Sequence, residues 1–193
     1  MSMQVAATTD DSIGNRDGIA IALAIANGEI SRQEAVAAAI GRLQSVNPEL
    51  NALACERYSG AKIDAAAPAP TTLLAGVPTL LKDNVDIAGL PTRHGSRAVA
   101  SGARTEDSAV TTQLRATGLI PIAKTRLPEF GLTATTEFSR SPPTRNPWNT
   151  EYSCGGSSGG SAALVAAGVV PIAHASLNPK LVPVFHAISC DES

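Results

Sequence analysis

The segment GVPTLLKDN, residues 76–84, places an apolar stretch directly before three polar residues. Residues 77–81 predict a buried β-strand that ends at Lys82. Removing an ammonium group from water is unfavourable, so a lysine at such a place tends to lose its proton or to find a partner. The alternative is a lysine whose aliphatic stem lies along the strand end while its ammonium group stays in water. The segment alone leaves both interpretations open.

Short apolar stretches and helical patterns alternate after this strand. They predict a helix over residues 108–116 with Gly118 as its stop, a strand over 119–123, a helix over 161–167 and a strand over 169–173. Such alternation is typical of layered folds in which helices cover a partly parallel sheet. We therefore predict an α/β fold with a mixed, partly parallel sheet.

The residues before the strand predict two amphipathic helices. The first covers residues 16–26, and the second begins with a capping box formed by Ser31 and Glu34. Asn47-Pro48 predicts the end of the second helix, because a residue before proline avoids the α region. Residues 65–72 contain two prolines and predict a surface linker. We therefore expect an N-terminal helical layer, residues 1–64, followed by an α/β core, residues 65–176.

A glycine- and serine-rich loop, CGGSSGGS at residues 154–161, leads directly into a predicted helix. Its four glycines allow the backbone to approach a ligand closely, and the helix N-terminus favours negative charge. A phosphate-binding loop is one interpretation, but the segment lacks the G-K-[ST] and G-x-G-x-x-G patterns. A flexible turn without chemistry is the other.

Composition argues against several classes of function. The 193 residues carry a net charge of −2 without a run of Lys or Arg, which predicts no binding to nucleic acid or to an anionic membrane. No secretory signal or membrane-spanning stretch is recognisable, so we expect a cytoplasmic protein. The three cysteines lack C-x-x-C spacing and predict free thiols. His94, His174 and His186 lack metal-ligand spacing, and nothing points to a nucleotide or flavin, so we expect no cofactor.

The lysine segment and the glycine-rich loop lie 75 residues apart (157 − 82) and together resemble the amidase signature family. Lys82 matches the family's lysine, and Ser157, the first serine of GGSSGGS, matches its serine in a cis peptide. The segments GLIPIAKT, PEF and RNPWN, at residues 118–125, 128–130 and 145–149, are similar to the connecting elements of bacterial members. The resemblance extends over residues 12–176.

This resemblance implies the amidase signature fold and hydrolysis of a carboxamide C–N bond to an acid and an amine. The family's catalytic set is a lysine, a cis serine and a second, nucleophilic serine. Lys82 would act as an uncharged base, and Ser157 would pass it the proton of the nucleophile. Backbone amides beside the nucleophile would form an oxyanion hole. The substrate would be a small-molecule amide of unspecified structure, and the oligomeric state is not implied.

The family's nucleophile lies in a segment similar to DxGGSIRxP, and its position in this chain is occupied by Leu181. Residues 177–193 contain no glycine and no arginine, so we interpret them as a tail unlike the family. We expect a chain truncated before the nucleophile segment, for example by a frameshift, and inactive alone. The alternative is a non-catalytic fragment or a binding remnant of an amidase. Candidate substitutes for the nucleophile are Ser176, Ser189, and a Cys–His pair drawn from Cys154 or Cys190 with His174 or His186, although their spacing does not favour them.

Overall fold

The computed structural model describes residues 3–139 and 141–176. Its elements, in chain order, are α1 (Gly18–Ala26), α2 (Arg32–Leu50), β1 (Leu53–Glu56), α3 (Tyr58–Ala66), β2 (Pro78–Lys82), α4 (Ala109–Ala116), β3 (Ile120–Thr125), a 3-10 turn (Glu129–Gly131), β4 (Arg145–Asn146), β5 (Asn149–Ser153), α5 (Gly159–Ala166) and β6 (Ile172–Ala173).

Within these residues, a four-stranded sheet in the order β1-β3-β2-β6 forms the centre of the fold. β2 lies parallel to both β3 and β6, whereas β1 is antiparallel to β3. The chain between β2 and β3 contains α4, as parallel neighbours require a crossover connection. The predicted α/β class with a mixed, partly parallel sheet is therefore confirmed.

β2 is an interior strand of this sheet and carries Lys82 at its carboxyl end. All of its residues are buried. Leu80 belongs to the main core beneath α2 and α5, whereas Leu81 packs in a separate small cluster with Val85 and Ile87. Successive side chains of a strand point to opposite faces. Lys82 therefore shares the face of Leu80 and points toward α5.

The observed end of α2 shows that the prediction from Asn47-Pro48 was wrong. Pro48 lies inside the helix, which continues to Leu50 and ends at Asn51 in the left-handed conformation. A proline in the last turn removes only one backbone hydrogen bond. Complete burial of Leu50 offsets that loss, and the Asn47 side chain accepts the backbone N–H groups of residues 52 and 53 at 2.9 Å.

Two elements before residue 67 were not predicted. β1 lies among the residues assigned to the helical layer and pairs with β3, and α3 extends to Ala66 within the predicted linker. Both are short, and the four residues of β1 carry too little alternation to be distinguished from a loop. The domain boundary at residue 65 stays a prediction, but the N-terminal region supplies a strand to the central sheet.

The predicted strand over residues 169–173 is shorter than expected. Only Ile172 and Ala173 pair with β2, although Val169 and Val170 are buried. Pro171 precedes the paired residues and has no N–H to donate to a ladder. Among the described residues, no helix combines the length and apolar character needed to cross a membrane.

Candidate active site

The ammonium group of Lys82 lies buried at the end of β2 and faces the loop before α5. Its Nζ is 2.7 Å from Ser157 Oγ and 2.7 Å from the carbonyl oxygen of Ser176. Lys82 is only 1% exposed, and this burial lowers its pKa to about 8. Burial acts this way because the charged form loses its hydration, and neither contact supplies a negative charge. A substantial fraction of Lys82 is therefore uncharged near pH 8 and able to accept a proton.

Ser157 reaches Lys82 because the glycine-rich loop folds tightly. The Gly156–Ser157 peptide is cis, and Gly155 has a φ of 75° in the left-handed region. The hydroxyl of Thr136 donates to the carbonyl oxygen of Gly155 at 2.8 Å and so holds the loop. The structure thus brings together the two site residues that the sequence indicated, Lys82 and Ser157. Their catalytic roles stay predictions.

The start of α5 is held against the end of β3 by glycine. A Cβ on Gly160 would lie 2.6 Å from the backbone N of Arg126 and 2.7 Å from the carbonyl oxygen of Ala52, closer than side chains can pack. The N–H of Gly160 also donates to the carbonyl oxygen of Arg126 at 3.1 Å. The glycine content of the loop is therefore explained in part by close packing, which sets the position of Ser157.

Ser176 closes the site through its backbone. Its carbonyl oxygen accepts hydrogen bonds from Lys82 and from the hydroxyl of Ser158, and its N–H donates to Ser158 Oγ at 3.2 Å. The hydroxyl of Ser176 instead accepts from Asn84 Nδ2 at 2.8 Å. This geometry does not favour Ser176 as a replacement nucleophile, because Asn84 rather than Ser157 holds its hydroxyl. The other positions considered, namely Leu181, His186, Ser189 and Cys190, lie outside the described residues.

His174, which the sequence suggested only as a partner for a cysteine, lies beside Lys82. Its Nδ1 accepts the backbone N–H of Lys82 at 3.4 Å. Burial, reinforced by the nearby charge of Lys82, lowers the pKa of His174 to about 4, so the imidazole is uncharged at neutral pH. The thiol of Cys154 donates to the carbonyl oxygen of Gly155 at 3.5 Å, and burial raises its pKa. Neither contact joins Cys154 to His174, and the candidate pairs that include Cys190 or His186 lie outside the described residues.

A second buried lysine, Lys124, lies on the neighbouring strand β3. Its Nζ is 2.5 Å from Asp83 Oδ1, 2.7 Å from Thr92 Oγ1 and 2.8 Å from the carbonyl oxygen of Pro91. Sequence reasoning missed this residue, although the segment IPIAKT repeats the pattern of a lysine near the end of an apolar strand. That repetition was the available signal.

A cleft of about 730 Å³ opens beside Asp83. Its walls contain charged side chains of both signs, including Arg93, Arg126 and Glu129. Lys82 and Ser157 are not among its lining residues, so the cleft is separate from the buried lysine–serine pair.

Comparisons with known proteins give a consistent result. The family model described as Amidase matches residues 34–176. The protein AmiC of Mycobacterium tuberculosis strain H37Rv, which carries a provisional assignment as an amidase, is 50% identical over 175 residues. That match covers 90% of this chain and 37% of AmiC, so the chain spans little more than a third of the relative's length.

Solved structures show the same relationship. A 6-aminohexanoate cyclic dimer hydrolase complexed with substrate superposes with a TM-score of 0.76 at 38% identity, covering 83% of this chain and 34% of that protein. A bacterial aryl acylamidase of the amidase signature family superposes with a TM-score of 0.76 at 36% identity, covering 82% of this chain and 34% of the other.

Proposed function

This chain belongs to the amidase family, and on that premise we propose that it carries the proton-transfer part of an amide hydrolase, with Lys82 as the base and Ser157 as the relay. The observation that supports this most directly is the 2.7 Å contact between Lys82 Nζ and Ser157 Oγ. The lysine is buried, and its pKa is lowered to about 8, which suits a base that works near neutral pH.

The proposed step moves two protons, one from Ser157 to Lys82 and one from the nucleophile to Ser157. The Ser157 hydroxyl gives its proton to the lone pair of uncharged Lys82, while the Ser157 oxygen takes the proton of a nucleophilic hydroxyl. The nucleophile's oxygen then bonds to the carboxamide carbon, and the C–N bond breaks as Lys82 returns its proton through Ser157 to the leaving nitrogen, so that the amine leaves and Lys82 is again uncharged. Water later hydrolyses the acyl ester and releases the acid. The rate should rise as pH passes through about 8, because only uncharged Lys82 can accept the first proton.

The proposed substrate class is a small-molecule carboxamide. Two relatives are named for such compounds, a cyclic 6-aminohexanoate dimer and an aryl acylamide. We place the reaction in the cytoplasm and without nucleic acid or a cofactor, as predicted from the sequence.

Binding without turnover is a second candidate, and the residue at the nucleophile position favours it. Leu181 has no hydroxyl, so it cannot attack a carboxamide carbon. Under this candidate, the segment around Lys82 and Ser157 would hold an amide or its products without cleaving the C–N bond.

A chimera would test the proton-transfer proposal. Residues 1–176 would replace the matching part of the 6-aminohexanoate-cyclic-dimer hydrolase of Paenarthrobacter ureafaciens, which is 41% identical over 163 residues and would supply the remaining segment. We expect the chimera to release amine from the cyclic dimer. Lys82→Met and Ser157→Ala should each reduce kcat by about 100-fold or more. The matched control Lys62→Met, at an exposed lysine, should leave kcat unchanged.

The outcomes separate the two candidates. A folded chimera that releases no amine, or one that is indifferent to Lys82→Met and Ser157→Ala, would contradict the proposed roles. Saturable binding of the cyclic dimer by the 193-residue chain without amine release would support the binding candidate, and turnover by that chain alone would exclude it.

A further inference from the structure

The two buried lysines lie on opposite faces of the sheet. In the parallel pair β2–β3, Leu81 is opposite Lys124 and Lys82 is opposite Thr125. Because side chains alternate along a strand, Lys82 and Lys124 point to opposite faces. Asp83 follows Lys82 and therefore points to the side of Lys124, where the two form an ion pair.

Each polar atom of Asp83 has a partner, Oδ1 through the ion pair with Lys124 and the other three through hydrogen bonds. Its carboxylate pairs with Lys124 and accepts the backbone N–H of Arg93 at 3.2 Å. Its backbone N–H donates to the carbonyl oxygen of Thr125 at 3.0 Å, and its own carbonyl oxygen accepts the N–H of His94 at 3.1 Å. The residue directly after Lys82 therefore cannot shift without breaking several contacts, which holds the end of β2 in place.

The charge of Asp83 would be a difficulty for an uncharged Lys82 if it were not compensated. Asp83 is 4% exposed and adjacent in sequence to the lysine. A buried carboxylate attracts a proton onto a neighbouring amine and so favours the ammonium form. Lys124, which is fully buried, meets this carboxylate at 2.5 Å and offers its remaining N–H groups to Thr92 and Pro91.

We propose that Lys124 and Asp83 are positioning residues for Lys82: Asp83 fixes the strand end that carries the base, and Lys124 cancels the charge of Asp83 so that Lys82 can stay uncharged. The proposal deepens the proposed function and rests on it, since it concerns the state of the same base. Neither residue contacts the reacting atoms in this scheme.

Other titratable groups also surround the ion pair. The charges of Asp86 and Cys55 affect the pKa of Lys124. The charges of Arg93, Lys124 and Asp83 affect the pKa of Cys55. On the opposite face, His174 is the titratable side chain that senses the charge of Lys82, and it is uncharged above its pKa of about 4. Burial alone accounts for the lowered pKa of Lys82 in the intact chain, where the carboxylate of Asp83 is paired with Lys124.

The test is an NMR titration of Lys82 in the 193-residue chain labelled with ¹³C at lysine Cε. The chain has four lysines, and the signal lost in Lys82→Arg identifies Lys82. In the parent, Lys82 should titrate near pH 8. Lys124→Met should raise the pKa of Lys82 by about one, because Asp83 is left uncompensated, and Asp83→Asn should lower it by a similar amount, because Lys124 is left uncompensated. The double variant should return it to the parent value, and Lys62→Met is the matched control.

Opposite shifts from the two single variants are the decisive result, because a purely structural role would not give them. If circular dichroism shows that Lys124→Met does not fold, the pKa of Lys82 in Asp83→Asn and in the double variant still tests the proposal. An unchanged or raised pKa of Lys82 in Asp83→Asn would overturn the proposal, as would a double variant that differs from the parent. Loss of folding in all three variants would overturn it too, since the pair would then serve the fold alone. The titration needs no turnover, so an inactive chimera would count against the proposed function and not against this electrostatic role.

Discussion

Lys82 and Lys124 lie on neighbouring strands of one sheet, and both are almost completely buried, yet their surroundings differ. Lys82 contacts a hydroxyl and a carbonyl oxygen, whereas Lys124 contacts a carboxylate in addition to a hydroxyl and a carbonyl oxygen. The two lysines thus differ by one neighbouring negative charge. Lys82, without it, is suited to proton transfer, and Lys124, with it, is suited to a fixed ion pair. Burial alone does not determine what a lysine does.

The largest expected difference between the two sites is the loss of stability when each lysine is replaced. Lys124→Met leaves the Asp83 carboxylate buried without its positively charged partner and should lower the free energy of unfolding by about 3–5 kcal/mol. Lys82→Met replaces an unfavourably buried amine with an apolar side chain of similar length, so near pH 10, where Lys82 is uncharged in the folded chain, it should change stability by about 1 kcal/mol or less. Urea unfolding of both variants measures the difference. Equal losses would show that the two sites are energetically alike.

The second largest effect should be a pH dependence of stability that is caused by Lys82. Its pKa falls from 10.5 in the unfolded chain to about 8 in the folded chain, so the unfolded chain binds more protons between these values. The free energy of unfolding should therefore rise through this window, by up to about 3 kcal/mol, and fall again as pH returns to 8. Comparison with Lys82→Met isolates this rise, because the opposing effects of Cys55 and Tyr58, whose pKa values are raised, are common to both proteins. A rise of the same size in the variant would refute the assignment.

His174 should give a smaller effect of the same sign at acid pH. Its pKa falls from 6.5 in the unfolded chain to about 4 in the folded chain, so stability should be lost as pH falls through this window. We expect a loss of about 2 kcal/mol, reduced because His174 is only partly buried. The measurement is the stability difference between the parent and His174→Gln across this range. A difference that does not vary with pH would exclude titration of His174 as the cause.

The smallest expected effects on stability come from deleting the hydroxyl group that contacts each lysine. Thr92→Val removes one acceptor from the ion-paired Lys124 and should cost about 2 kcal/mol, since hydrogen bonds to charged groups are the stronger ones. Ser157→Ala removes one of the two acceptors of Lys82 and should cost about 1 kcal/mol when the lysine is uncharged. Both are measured by thermal unfolding above pH 8. A larger loss of stability in Ser157→Ala than in Thr92→Val would indicate that Lys82, and not Lys124, is the charged lysine.

Local patterns in the sequence predicted several parts of the fold well. The capping box of Ser31 and Glu34 is present, with each side chain bonded to the other residue's backbone N–H. The strand before Lys82 and the helices near residues 109 and 159 lie close to their predicted positions. These features depend on contacts within a few residues, so the sequence carries them directly. The continuation of α2 through Pro48 depends instead on the burial of Leu50 in the core, which no local pattern shows.

The α/β class, the amidase resemblance and the choice of Lys82 and Ser157 as site residues follow from the amino-acid sequence alone. The folded structure adds that Lys82 Nζ lies 2.7 Å from Ser157 Oγ, that Asp83 turns to the opposite face to meet Lys124, and that His174 lies against Lys82. The physical reason is that the charge state of a buried group depends on its desolvation and on the charges within a few ångströms. Those neighbours come from distant segments, and strand register and side-chain alternation bring them together.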